Sequence, residues 1–155
     1  MFFKNSFKKK KILVTGHTGF KGSWLVAWLK ILGAEVYGIS KDIPSFPSHY
    51  KILNNLSKKR DLRFNLNQYK KLKKKILIIK PDFIFHLAAQ SLVKKSFKYP
   101  VLTWKSNVNT TINLLESLRH VKKKTTVIIV TSDRWSKQVS NILYSVLALP
   151  TSFSE

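Results

Sequence analysis

Three glycines spaced three apart, Gly16, Gly19 and Gly22, follow directly on the apolar run Ile12-Leu13-Val14, and a helical pattern comes after them. A strand that is apolar throughout is suited to burial on both faces, as in the centre of a parallel sheet. Each glycine then has a physical reading. Gly16 lets the chain turn sharply, because glycine takes positive φ at little cost. Gly19 leaves space for a phosphate to approach the backbone, and Gly22 lets the next helix pack close to the strand. The helix amino terminus directs unpaired N–H groups and the positive end of its dipole at that phosphate. A strand-to-helix turn without a ligand has the same spacing. Strand, helix and position near the start of the chain together favour a dinucleotide.

The 155 residues allow one domain of ordinary size and not two. Cysteine is absent, which excludes a disulfide framework and a thiolate metal site. His17, His49, His86 and His120 lack metal-ligand spacing, so no metal site is expected. The basic amino terminus has no apolar signal core, and no stretch approaches the ~20 apolar residues of a membrane span. A soluble cytoplasmic protein with no membrane partner is therefore expected. The net charge of +22 invites a nucleic-acid reading. The lysines, however, are spread along helices and turns, and Asn, Ile and Lys are abundant together, as codon bias in an AT-rich genome would produce. Salt-sensitive, nonspecific adhesion to polyanions is expected rather than a specific nucleic-acid partner.

Strand and helix patterns alternate. Residues 11–15 read as a strand and 20–32 as a helix with Trp24, Leu25, Trp28, Leu29 and Leu32 on one face, closed by Gly33. Residues 35–39 form a second strand, a loop with Pro44 and Pro47 follows, and 61–66 give a short third strand. Tyr69, Leu72, Ile76 and Ile79 recur at helical spacing before Pro81. Residues 82–87 are a fourth strand and 126–131 a fifth. Between them 101–119 read as one long helix with Val101, Trp104, Val108, Ile112, Leu115 and Leu118 facing inward. Such alternation means a parallel sheet with right-handed crossovers. The composition changes after Asp133: the remainder carries only Arg134, Lys137 and Glu155 as charges and shows no clear period.

Four segments occur in order: Val14-Thr15-Gly16-His17-Thr18-Gly19-Phe20-Lys21-Gly22-Ser23-Trp24-Leu25; Phe85-His86-Leu87-Ala88-Ala89-Gln90; Asn107-Val108 with Asn113-Leu114-Leu115-Glu116; and Val130-Thr131-Ser132-Asp133. Together they resemble the extended short-chain dehydrogenase/reductase superfamily. The string from His17 to Trp24 is most similar to the CDP-glucose 4,6-dehydratases within it. The resemblance covers about residues 10 to 133. It implies an α/β, Rossmann-like doubly wound parallel sheet, here incomplete at about five strands and without the family's substrate domain. It also implies NAD as cofactor, a nucleotide-sugar substrate and, for the intact family, a homodimer. Such enzymes oxidise C4 of the glucose moiety of CDP-glucose, eliminate water across C5 and C6, and return the hydride to C6.

Carried over by position, the resemblance implies a pyrophosphate turn at Gly16, Gly19 and Gly22, with backbone N–H groups from Thr18 to Phe20. Asp42 stands where an acid accepts from a ribose hydroxyl, or is an ordinary loop aspartate. Lys41 beside it would suit a 2′-phosphate, and Asp42 would oppose one. Asn65 occupies the position of an adenine-binding aspartate, with Asp61 four residues earlier. Leu87, Ala88 and Ala89 let the cofactor lie along the strand ends, and Asn107 is near the nicotinamide side. His86 reads as a buried structural histidine. Ser132 contacts the sugar 4-OH, and Asp133 is the general acid for loss of the 6-OH.

The superfamily's tyrosine and the lysine four residues after it are not found: Tyr144 is followed at that spacing by Ala148. Residues 1–133 are thus expected to be a partial NAD-binding domain and 134–155 a divergent tail, out of frame or otherwise unrelated. The enzyme reading is of a dinucleotide-binding part that is inactive alone. The alternative is a binding module without chemistry, or a fragment of another sugar-nucleotide dehydratase or epimerase.

Overall fold

The computed structural model describes residues 5–53, 56–90 and 92–130. Strand β1 (Lys11–Thr15) leads through the glycine turn into helix α1 (Phe20–Ile31), then β2 (Glu35–Ser40), α2 (His49–Leu53), β3 (Asp61–Arg63), α3 (Tyr69–Ile79) and β4 (Phe83–His86). The chain continues through α4 (Val93–Lys98), α5 (Pro100–Trp104), a π-helical turn (Lys105–Asn109), α6 (Thr110–Leu118) and β5 (Thr126–Ile129). All strand pairs are parallel, in the order β3-β2-β1-β4-β5. The order reverses between β1 and β4, which opens a crevice at the carboxyl ends of those strands.

β1 is central, and Ile12, Leu13 and Val14 are each 0% exposed. Their alternation feeds two cores. Ile12 and Val14 pack with Val26, Leu29, Val36 and Leu56 under α1. Leu13 packs on the other face with Ile39, Leu72, Ile76, Ile84, Leu114 and Val127, beneath α3 and α6. Gly33 ends the α1 crossover at φ +79, the left-handed geometry of a helix C-cap glycine.

Two helix faces differ from expectation. In α1 the buried residues are Gly22, Ser23, Val26 and Leu29, while Trp24 and Trp28 stay about half exposed. Both sides of this helix are apolar, and the two small residues decide which one meets the sheet because they permit close approach. The expected helix over 101–119 is instead divided into α5, the π turn and α6. Val101, Trp104 and Ile112 face solvent, and α6 buries Thr110, Leu114, Ser117 and Leu118. The inner face tolerates its hydroxyls because Thr110 donates to the Ser106 carbonyl and Ser117 to the Asn113 carbonyl, each at 2.6 Å. Helix α2 falls in the loop that follows the second strand, α4 in a stretch for which no element is expected, and β3 is shorter than expected.

Leu114→Ala is expected to cost about 3 kcal/mol by urea unfolding, and Ile112→Ala less than about 1 kcal/mol. The reverse ranking would contradict this orientation of α6.

Candidate functional site

The glycine turn leaves no space for a side chain at two glycines and only a tight space at the third. Gly16 has φ +74, and a Cβ there would lie 2.8 Å from the Ala88 nitrogen and the Leu87 carbonyl carbon. Its N–H donates to the Ile39 carbonyl at 2.8 Å. A Cβ on Gly22 would lie 2.2 Å from the Gly16 oxygen. Both positions therefore need glycine for the protein's own packing. Gly19 is different. Its φ of −70° is ordinary for any residue, and a Cβ there would meet nothing nearer than the Gly16 oxygen at 3.3 Å. Gly19 is the N-cap of α1, no side chain caps the helix there, and its first turn holds no acid. The positive end of α1 thus carries no side-chain cap and no acid of its own, the arrangement that suits an anion.

His17 holds this turn in place. It is fully buried, and its ring lies over Gly38, where a Cβ would come within 2.4 Å of the imidazole. Nε2 lies 2.8 Å from Asp61 Oδ1, and Nδ1 lies 2.9 Å from Ser40 Oγ. Asp61 also accepts from Tyr50 Oη and forms a two-point pair with Arg63. Burial keeps His17 below its ordinary pKa, against the pull of Asp61, so the ring is neutral. Neutral His17 donates Nε2–H to Asp61 and accepts the Ser40 hydroxyl at Nδ1. Asp61 is held below its ordinary value because the hydrogen bonds from Tyr50, Arg63 and His17 outweigh its burial. This cluster ties the glycine turn to the ends of β2 and β3.

A second neutral histidine closes the other side. His86 is buried, and burial pushes its pKa down to about 4. Thr111 Oγ1 donates to the Asn107 carbonyl at 2.8 Å, so it accepts from His86 Nε2, 3.1 Å away. His86 Nδ1 then accepts from Thr15 Oγ1 at 2.7 Å, and that hydroxyl accepts the Ala88 N–H. The π turn presents Asn107, whose Oδ1 accepts the Gln90 N–H at 2.7 Å and whose Nδ2 donates to the Gln90 carbonyl. The segment after β4 is thus fixed from both sides.

These contacts bring Gly16, packed with Gly19 and Gly22, against Leu87 and Ala88 and tie Asn107 to the segment after β4; Thr18, Phe20 and Ala89 adjoin them in the chain. Thr18 Oγ1 donates to the Asp42 carbonyl at 2.6 Å, which brings Asp42 to the turn. The Asp42 carboxylate is exposed and lies 4.0 Å from Lys41. Phe20 is exposed at the start of α1. Asn65 sits just beyond β3, and its amide oxygen accepts the Asn67 N–H at 2.9 Å, shaping the turn into α3. Ser132, Asp133 and the whole of 134–155 lie outside the described residues. No group of three or more potential metal ligands occurs among the described residues.

Residues 13–135 match the protein-family model described as GDP-mannose 4,6 dehydratase. The chain belongs to this family. It is 42% identical over 138 residues to CDP-glucose 4,6-dehydratase of Salmonella typhimurium, covering 86% of this chain and 37% of that protein. It is 34% identical over 121 residues to GDP-mannose 4,6-dehydratase of Vibrio cholerae, covering 72% of this chain and 32% of that one. The fold is that of these enzymes' structural kin: UDP-glucose 4-epimerase of Thermus thermophilus, solved in complex with NAD, superposes with a TM-score of 0.67 at 28% identity. That match covers 79% of this chain and 37% of the epimerase. The chain spans about a third of the length of these relatives and corresponds to part of a sugar-nucleotide 4,6-dehydratase.

Sequence reading did not find the braces of this dehydratase-family site: Ser40, Tyr50, Asp61 and Arg63 around His17, and Thr15 and Thr111 around His86. The signal was present. A histidine among turn glycines must be solvated or find partners, and Asp61 opens the nearest edge strand.

The neutral histidines set a pH dependence. Between the unfolded histidine pKa near 6.5 and the folded value, the unfolded chain takes up a proton that the folded chain does not. Stability is therefore full above pH 6.5 and falls as the pH drops, by on the order of 3 kcal/mol for His86 on reaching its folded pKa of about 4. His17 adds in the same direction. The urea midpoint is expected to fall steadily from pH 7 to about pH 5.5, a window in which carboxylates with pKa values near 4 stay almost wholly ionised. An unchanged midpoint would show that the histidines are not buried neutral.

Proposed function

We propose that this chain holds NAD across the carboxyl end of its sheet and is the cofactor-binding part of a dehydratase acting on CDP-glucose. The observation that carries the reading is Gly19: its backbone is unstrained, it is the least crowded of the three turn glycines, and it stands at the uncapped positive end of α1. Glycine is not required there by backbone conformation, and a bare helix end suits a pyrophosphate. The NAD-bound structure of the Thermus epimerase and the identity to the Salmonella enzyme support the same reading.

In this reading Gly16, Gly19, Gly22, Thr18 and Phe20 receive the pyrophosphate, the small side chains of Ala88 and Ala89 admit the cofactor beside Leu87, and Asn107 lies toward the nicotinamide. Asp42 accepts from the adenosine ribose, which favours NAD over NADP. Asn65 serves adenine through its amide, one lone pair of which is taken by Asn67. NAD, when bound, supplies the hydride acceptor for oxidation at C4 and the donor for reduction at C6. Ser132 would contact the 4-OH and Asp133 would protonate the leaving 6-OH. Without a tyrosine–lysine pair at the required spacing, turnover by this chain alone is not expected. Residues 1–133 form the partial NAD-binding domain and 134–155 diverge; the family match ends at residue 135, close to that boundary. The exposed stripe of Val101, Trp104 and Ile112 suits the homodimer of the intact family. No helix of the described residues is long and apolar enough to cross a membrane, which suits a cytoplasmic location.

Gly19→Asp separates binding from folding. Asp is a favourable N-cap, so the melting temperature should stay the same or rise, while the carboxylate takes the phosphate's place. NAD affinity measured by titration calorimetry should fall at least about 100-fold. Unchanged affinity would overturn the assignment. Turnover of CDP-glucose by the unmodified chain would overturn the requirement for the missing pair. NAD binding without turnover even when the rest of a dehydratase is supplied would favour a module without chemistry.

A further inference from the structure

Parallel strands bring every segment that precedes a strand to one edge of the sheet, opposite the crevice, and in this chain four of those five segments are basic. Residues 8–10, before β1, are all lysine, and Lys11 opens the strand; Lys58, Lys59 and Arg60 precede β3, Lys80 precedes β4, and residues 122–124, before β5, are again all lysine. Spread along the sequence, they are assembled by the topology. The five strand ends span ~19 Å.

The surface is held in place by backbone contacts. The Lys9 N–H donates to the Gly33 carbonyl, the Lys10 carbonyl accepts from Glu35, and Lys11 exchanges hydrogen bonds with Asp82. Local needs do not consume the charge. Helices α1, α3 and α6 end at this edge, and their dipoles present roughly −0.5 each. The nearby carboxylates Glu35 and Asp82 already pair with Arg60 at 3.1 Å and Lys123 at 2.8 Å. A large positive surplus remains.

Apolar side chains stand among these lysines. Ile31 at the end of α1 is 82% exposed, and Ile78 at the end of α3 is 62% exposed, one on each side of the sheet. Trp28, one turn before Ile31, is half exposed. Phosphates alone would leave the isoleucines idle. Lysines with projecting aliphatic groups suit a surface that is anionic outside and apolar beneath.

We propose that the amino-terminal edge of the sheet docks on an anionic lipid bilayer, leaving the crevice facing away from it. This departs from the expectation of no membrane partner, and it concerns surface contact rather than a span. It does not depend on cofactor binding. The test is co-sedimentation of the 155-residue chain with vesicles of phosphatidylcholine alone, or mixed with phosphatidylglycerol at about 3:1. Binding is expected only to the mixed vesicles and should weaken sharply between about 0.1 M and about 0.5 M salt. Changing Lys10, Lys59 and Lys124 together to glutamine should lower affinity at least about 30-fold, while the same change at Lys94, Lys95 and Lys98 should have a much smaller effect. Ile31→Ser with Ile78→Ser should cost about 10-fold at unchanged charge. Equal losses for the two lysine triples, or equal binding to neutral vesicles, would overturn the proposal. So would full binding by the isoleucine variant, the pattern of a site for nucleic acid or another soluble polyanion.

Discussion

A buried imidazole fills the space above Gly38, and the glycine turn takes its shape from it. His17 cannot be removed from water without partners for both ring nitrogens, and the fold supplies Asp61 and Ser40. Those two residues belong to β3 and β2, so one side chain ties the first strand-to-helix turn to the edge of the sheet. Asp61 is in turn held by Tyr50 from α2 and by Arg63. Gly38 is the complement of this arrangement, since any side chain there would displace the ring.

On the other side of the crevice His86 does similar work with different chemistry. It has only hydroxyl partners, and it joins Thr15 on β1 to Thr111 on α6. The two histidines thus fix the turn after β1 from one side and the segment after β4 from the other. Between them the amino-terminal end of α1, at Gly19, carries no side-chain cap. A site that must receive a large anionic cofactor gains from walls that are set before the ligand arrives.

Much of the fold was legible because burial wrote it directly. The run Ile12-Leu13-Val14 is apolar without alternation and became the central strand. Leu72, Ile76 and Ile79 at helical spacing became the buried side of α3. The failures share a cause. In α1 and α6 the most apolar stripe was taken for the inner one, yet Gly22 and Ser23, or Thr110 and Ser117, face the sheet. Small and hydroxyl residues allow close packing or satisfy themselves against the helix backbone, and neither property registers as hydrophobicity. The site was legible where it depends on glycine. The partners of His17 and His86 were not, because they are set by contacts across 44 and 71 residues of sequence. The basic edge escaped for the same reason: it exists only once the strands are laid side by side.

The turn is pinned by a neutral, doubly bonded His17, and the cofactor site rests on that pin. Long-range proton–nitrogen correlation spectra of the chain labelled at histidine read the tautomer and titration of that ring directly. The ring is expected as the Nε2–H tautomer, with a proton slow to exchange and a pKa lowered from 6.5. A ring that averages between tautomers and titrates near 6.5 would contradict this, and with it the structural basis of the cofactor site.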